Sequence, residues 1–158
     1  MDSLNLALLL SKHVEVNADN KISSITDVGN TFIIDKDSKN NFYIITLING
    51  TLTRNYYLNL FLTTTISDKT AFLHMGSISL LENESNKLDK PINLDSTGII
   101  NVETTFPKEG NYELISIICE DNFSKINKED KKNKFTEIIN NKTYISKFSK
   151  KIEISYKQ

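Results

Sequence analysis

The chain of 158 residues is poor in several residue types, and each shortage counts against a class of protein. One cysteine, Cys119, excludes an intrachain disulfide, and two isolated histidines, His13 and His74, do not form a zinc signature. Five glycines provide no glycine-rich phosphate loop, and no serine stands in a Gly-x-Ser-x-Gly motif. The sequence therefore predicts a protein that is not an enzyme and that has no metal or cofactor.

Two further shortages concern partners and location. Arg54 is the only arginine beside 18 lysines, whereas arginine is the usual residue for bidentate contacts to phosphates and bases. The apolar run at residues 4–10 is too short to span a bilayer, and it follows Asp2 instead of a basic segment. We expect a cytoplasmic protein without a membrane span. The abundance of lysine, asparagine and isoleucine, whose codons are AT-rich, favours a bacterial or phage source.

What the sequence does contain is a series of short extended segments separated by turn-like residues. Residues 4–16 alternate between apolar and polar positions, as in a half-buried strand. Asn49-Gly50 is a strong hairpin-turn signal, and a polar loop is predicted at residues 82–90. The predicted strands are residues 4–16, 21–28, 32–34, 42–48, 54–66, 72–81, 98–106 and 111–119. This pattern predicts an all-β protein, an antiparallel β-sandwich of about eight to nine strands in one domain, 1–158.

The segment Phe106-Pro-Lys-Glu-Gly-Asn-Tyr112 predicts the corner between two strands. A proline and a glycine precede a tyrosine that begins the next apolar strand, which ends at Cys119. In the tyrosine corner of β-sandwiches, such a phenol hydroxyl bonds to the backbone a few residues upstream. We therefore expect Tyr112 to have a structural role, and we expect Cys119 to be a buried, unreactive thiol.

The charge of the chain changes sign after Asp121. Residues 1–121 hold 9 basic and 16 acidic residues, a net charge of −7, whereas residues 122–158 hold 10 lysines and 4 acids, a net charge of +6. Within the basic insertion 122–141, residues 127–139 are predicted to form a short helix with Asn127 as its N-cap. Phe135, Ile138 and Ile139 would share one face of it. Residues 142–156 then predict a final strand or a hairpin.

This basic segment is also the candidate interaction surface. The members of that surface are Lys125, Lys128, Lys131, Lys132, Lys134 and Phe135. Lysines in such a cluster can neutralise phosphates without reading a base sequence. The alternative interpretation is a solvated face, because lysine also protects exposed strand edges from pairing.

Residues 4–120 resemble a family of uncharacterised bacterial β-sandwich domains. The matching stretches are Leu6-Ala-Leu-Leu-Leu10, Asn20-Lys-Ile22 and Phe106-Pro-Lys-Glu-Gly-Asn-Tyr112. The chain departs from the family pattern at Asn20, where a glycine would be expected, and in its basic C-terminal segment. The resemblance implies a β-sandwich fold, and it implies no activity and no functional residues.

The leading functional hypothesis is a non-catalytic module that binds another protein through a sheet face, a strand edge or the basic segment. An accessory protein of a phage or mobile element, for example an inhibitor of a host system, fits the size and codon bias. The alternatives are electrostatic binding of nucleic acid or an anionic surface, a homo-oligomer in which the basic segment meets the acidic part of another copy, and an enzyme whose site is assembled from distant residues.

Overall fold

A computed structural model describes residues 2–82 and 88–158, and this part of the chain folds into nine strands, one 3₁₀ turn and one α-helix. The predicted polar loop 82–90 lies largely outside the described residues. The strands are β1 (Ser3–Val16), β2 (Ile22–Val28), β3 (Thr31–Ile34), β4 (Asn40–Leu52), β5 (Tyr57–Ile66), β6 (Lys69–Ser79), β7 (Ile92–Thr104), β8 (Gly110–Cys119) and β9 (Ser146–Tyr156). The 3₁₀ turn is Phe123–Lys125, and the helix α1 is Lys128–Asn141.

The strands form two sheets, which confirms the predicted all-β sandwich. The four-stranded sheet has the order β2-β1-β4-β7, and the five-stranded sheet has the order β3-β9-β8-β5-β6. Neighbouring strands are antiparallel except for β3 and β9, which pair in parallel. The sandwich is therefore not purely antiparallel, because the last strand, β9, lies between β8 and the edge strand β3 and runs parallel to β3.

The core lies between the two sheets and is built from alternating positions of the long strands. From β1, Leu4, Leu8 and Leu10 point inward, each 5% exposed or less. From the opposite sheet, Leu60 and Leu114 face them and are fully enclosed. Burial of such a side chain contributes about 1.5–3 kcal/mol to the free energy of folding. Because side chains alternate between the two faces of a strand, the apolar residues at every second position determine which face points inward.

The predicted hairpin turn at Asn49-Gly50 is wrong. Both residues lie inside β4, which pairs with β1 and β7 along its whole length. At Gly50 (φ +143°) a Cβ would sit 2.0 Å from the carbonyl oxygen of Ser3. The glycine is therefore required by the close approach of the neighbouring strand β1, not by a change of chain direction. The chain turns after Leu52 instead, and β5 begins at Tyr57, three residues later than predicted.

The predicted helix is confirmed, with α1 ending two residues later than expected. Asn127 occupies the N-cap position with extended backbone (φ −60°, ψ 143°), although its side chain makes no capping hydrogen bond. Lys142 ends the helix in the left-handed region at φ 53°. The chain after it forms one strand, β9, and not a hairpin.

The predicted tyrosine corner is also present. The Tyr112 hydroxyl donates to the carbonyl oxygen of Lys108 at 2.8 Å and accepts from its backbone N–H at 3.3 Å. The ring is 3% exposed and packs edge-on against Phe106, with 5.1 Å between the centroids. These contacts fix the corner through which the chain passes from β7 in one sheet to β8 in the other.

Candidate interaction surfaces

The outer face of the five-stranded sheet is covered by the 3₁₀ turn and α1. Phe61 on β5 points outward and is nevertheless fully buried. The rings of Phe123 and Phe135 lie against it, with 4.8 Å between centroids in both pairs. Ile138 is 1% exposed in the same cluster, and Ile139 packs at its margin. The predicted apolar face of the helix is thus the face that docks on the sheet, and Phe135 belongs to this contact.

A chain of hydrogen bonds runs beneath the helix beside these rings. On β6, His74 places Nδ1 2.9 Å from Lys131 Nζ and Nε2 2.9 Å from Ser77 Oγ. The Ser77 hydroxyl donates to Asn59 Oδ1, which also accepts the backbone N–H of Phe123 at 3.2 Å. An ammonium group can only donate, so Nδ1 of His74 accepts and Nε2 carries the proton. These hydrogen bonds therefore join the helix and the 3₁₀ turn to the sheet through a neutral histidine.

This arrangement is not suited to general-base catalysis. Burial lowers the pKa of His74, the positive charge of Lys131 lowers it further, and a hydrogen bond with the Gly76 backbone opposes them without reversing the shift. The neighbouring Ser77 directs its own proton to Asn59, so the histidine is not placed to take it. The His74 cluster consequently supports docking of the helix and not activation of a nucleophile.

Three lysines of the candidate surface contact the protein itself. Lys131 bonds to His74, as described above, and is half-buried. Lys132 donates to the carbonyl oxygen of Thr70 at 3.0 Å, across the gap between helix and sheet. Lys134 is half-buried, and its ammonium group lies 3.9 Å from a carboxylate oxygen of Asp121, outside the helix, and 3.5 Å from one of Glu137, within it. These contacts engage part of the predicted basic surface in holding α1 in place.

Lys125 and Lys128, like Lys132, are exposed. They share this side of the molecule with the exposed acids Glu129, Asp130 and Glu137. The acids lower the local charge density that phosphate binding requires. The role of the lysine-rich segment as an interaction surface stays a prediction.

The outer face of the four-stranded sheet contrasts with the covered face, because no described element packs on it. Leu9, Ile45 and Ile99 stand in one row across β1, β4 and β7. Ile45, in the middle of this row, is only 1% exposed. Leu47, one position further along that face of β4, is 39% exposed. The result is an apolar centre on the outside of the molecule.

Uncharged polar side chains surround this apolar centre. Asn5 donates to Asn49 across β1 and β4 at 3.1 Å, and Thr51 donates to Asn93 across β4 and β7 at 3.0 Å. Among the outward positions from residue 3 to 9 and their partners on β4 and β7, only Asp95 is charged. We call this area the open face; its residues are Ser3, Asn5, Ala7, Leu9, Tyr43, Ile45, Leu47, Asn49, Thr51, Asn93, Asp95, Thr97 and Ile99.

The sequence carried a partial signal for the open face. Ala7 and Leu9 alternate with the inward leucines of β1, so β1 is apolar on both sides. Residues 42–48 are nearly continuously apolar, which normally indicates a strand covered on both faces. The strand is covered on one face only, and that uncovered apolar surface could be found only once the sheet order was known.

Two other residues were singled out from the sequence, His13 and Cys119, and Cys119 packs in the same buried cluster as Phe61 and Phe123. His13 is exposed on β1, with Nε2 3.5 Å from Glu15 Oε1, and belongs to a different sheet from His74. Cys119 is 1% exposed, and burial raises the pKa of its thiol to about 11. The predicted buried thiol is confirmed, since a protonated thiol is a poor nucleophile.

Fold and surfaces together define an all-β sandwich with one covered and one open outer face. The sequence matches no known family model, and a search of curated proteins gives no significant match. The resemblance of residues 4–120 to uncharacterised β-sandwich domains therefore stays a prediction. None of the helices in residues 2–82 and 88–158 combines the length and the apolar character needed to cross a membrane.

Proposed function

We propose that the protein is a non-catalytic module that binds another protein through the open face. The observation that carries this proposal is the unequal covering of the two sheets. One outer face is closed by a docked helix, and the other leaves an apolar centre uncovered.

The composition of the open face supports a protein partner. The cores of protein–protein interfaces are depleted in charge, and uncharged polar groups at the margin supply hydrogen bonds. The open face has this arrangement, with Leu47 and Ile99 at the centre and asparagine and threonine side chains around them. A partner with a flat apolar patch and a rim of amide or hydroxyl groups would be complementary to it. A cytoplasmic accessory protein of a bacterium or phage, such as an inhibitor of a host system, remains the role we favour.

The test is affinity capture from a bacterial lysate with three baits: the wild type, Leu47→Glu, and the double variant Lys125→Gln/Lys128→Gln. The glutamate places a charge at the centre of the open face, at a position exposed enough to leave folding intact. We expect a captured protein to be lost with Leu47→Glu and retained with the lysine variant. If every captured protein is retained with Leu47→Glu, the proposal is wrong.

The second candidate function is electrostatic binding of nucleic acid or an anionic surface through Lys125 and Lys128, which are exposed. Binding of this kind weakens steeply with salt. It would be indicated if the lysine variant lost the partner while Leu47→Glu kept it, and if added salt released the partner from the wild type.

A further inference from the structure

A cavity of about 200 Å³ opens at one end of the sandwich, away from both outer faces. It lies between the short edge strand β3 and the start of β4, and it reaches inward to the rings of Phe32, Phe42 and Phe106. The rings line one continuous apolar wall, with 6.1 Å between the centroids of Phe32 and Phe42 and 6.2 Å between those of Phe42 and Phe106. The volume corresponds to about seven water molecules at ~30 Å³ each, so the cavity has room for one small organic molecule.

The mouth of this cavity contains a lysine in an unusual position. Lys12 continues the inward row of Leu8 and Leu10 on β1, so its side chain leaves the core side of the sheet. Inward-pointing lysines commonly protect the edge strands of a sheet. That explanation does not apply here, because β1 is an interior strand between β2 and β4.

The ammonium group of Lys12 is held at the cavity without a carboxylate partner among the described residues. It donates to the carbonyl oxygen of Ile33 at 3.0 Å and lies 5.8 Å from the centroid of the Phe32 ring. One hydrogen bond leaves two of its three N–H donors for other acceptors. The group is thus positioned, positively charged and only partly satisfied.

A second lysine at the mouth, Lys157, lies 3.3 Å from a carboxylate oxygen of Asp35. Both members of this pair are more than half exposed, so the pair is weak and its charges cancel. The positive charge that remains at the mouth is that of Lys12. An apolar cavity with one positive charge at its opening is complementary to a small molecule with an apolar body and one negative charge.

We propose that this cavity is a binding site for a small monocarboxylate with an aromatic or branched apolar body. The apolar body lies against Phe32, Phe42 and Phe106, and the carboxylate accepts a charge-assisted hydrogen bond from Lys12 Nζ. The cavity shares no lining residue with the open face. The proposed ligand binding is therefore tested separately from the proposed protein binding.

The test uses phenylacetate and its neutral analogue 2-phenylethanol as probes, added to the isotope-labelled protein and followed by two-dimensional NMR. A ligand of this size is expected to bind with a Kd on the order of 1 mM. We expect phenylacetate to shift the resonances of residues that line the cavity and to bind about tenfold more tightly than the alcohol.

The matched variants are Lys12→Met, which keeps the apolar stem and removes the charge, and Lys36→Met, an exposed lysine on the nearby loop that does not line the cavity. Lys12→Met should abolish the preference for the acid, and Lys36→Met should preserve it. The proposal is overturned if the two probes bind the wild type equally, if their shifts map elsewhere, or if neither binds up to about 10 mM. The comparison of probes on the wild type holds even if Lys12→Met fails to fold.

Discussion

The two outer faces of the sandwich are both apolar at their centres, but only one of them is covered by the helix α1. On the five-stranded sheet the aromatic centre around Phe61 is covered by Phe123, Phe135 and Ile138. On the four-stranded sheet Ile45 is 1% exposed, whereas Leu47 on the same face is 39% exposed. An apolar strand face increases stability where the chain covers it, and an exposed apolar patch on a protein surface is the kind of feature that marks interaction sites in other proteins.

The largest expected effect comes from truncating the centre of the covered face, with the open face as the comparison. Phe61→Ala should lower the free energy of unfolding by about 3–5 kcal/mol, because it removes a fully buried ring from the helix–sheet contact. Leu47→Ala on the open face should lower it by less than about 1 kcal/mol. Denaturant unfolding followed by circular dichroism measures both. Equal losses would show that the open face is covered in solution.

A smaller effect is expected at the corner that joins the two sheets and belongs to neither face. Tyr112→Phe removes a hydrogen bond to the Lys108 carbonyl and should lower the free energy of unfolding by about 1–2 kcal/mol. Tyr43→Phe is the matched control on the open face, since its hydroxyl bonds to no described residue. Thermal and denaturant unfolding should show a loss for Tyr112→Phe alone. Partner binding should survive Tyr112→Phe, because Tyr112 lies outside the open face.

The smallest effect is a pH dependence restricted to the covered face. The pKa of His74 is lowered from 6.5 in the folded protein, so below about pH 6.5 the unfolded chain binds a proton that the folded chain does not. Stability should therefore fall as pH is lowered from 7 to 5, by less than the loss expected for Tyr112→Phe. His74→Gln should flatten this dependence in urea unfolding measured at several pH values.

His13→Gln is the matched control for that measurement, because His13 is exposed on the other sheet. A flattening of equal size in the two variants would contradict the assignment to His74. The pH dependence would then have to come from groups outside the covered face.

The sequence predicted those parts of the fold that depend on residues close together in the chain. The alternating leucines of β1 predicted a strand with one inward face, and Phe135, Ile138 and Ile139 predicted the docking face of α1. These predictions are correct because burial selects the periodicity directly. The tyrosine corner was predictable for a similar reason, since its hydrogen bond spans only four residues.

Features that depend on distant contacts were not predictable. Gly50 looked like a turn residue, and its real constraint is the Ser3 carbonyl on another strand. The bond between His74 and Lys131 joins residues 57 positions apart, so no spacing rule indicates it. The open face likewise depends on the order of strands in the sheet, which the sequence pattern leaves undetermined.

The parallel pairing of β3 with β9 has a consequence for synthesis of the chain in the cell. Thr31–Ile34 leaves the ribosome well before Ser146–Tyr156, the strand that pairs with it in the five-stranded sheet. Until then Phe32 and Ile34, which are 5% and 6% exposed in the folded protein, have no strand beside them. The nascent chain thus carries an unpaired apolar segment until β9 has been made, and that segment is where chaperones would bind and where premature pairing between chains would begin.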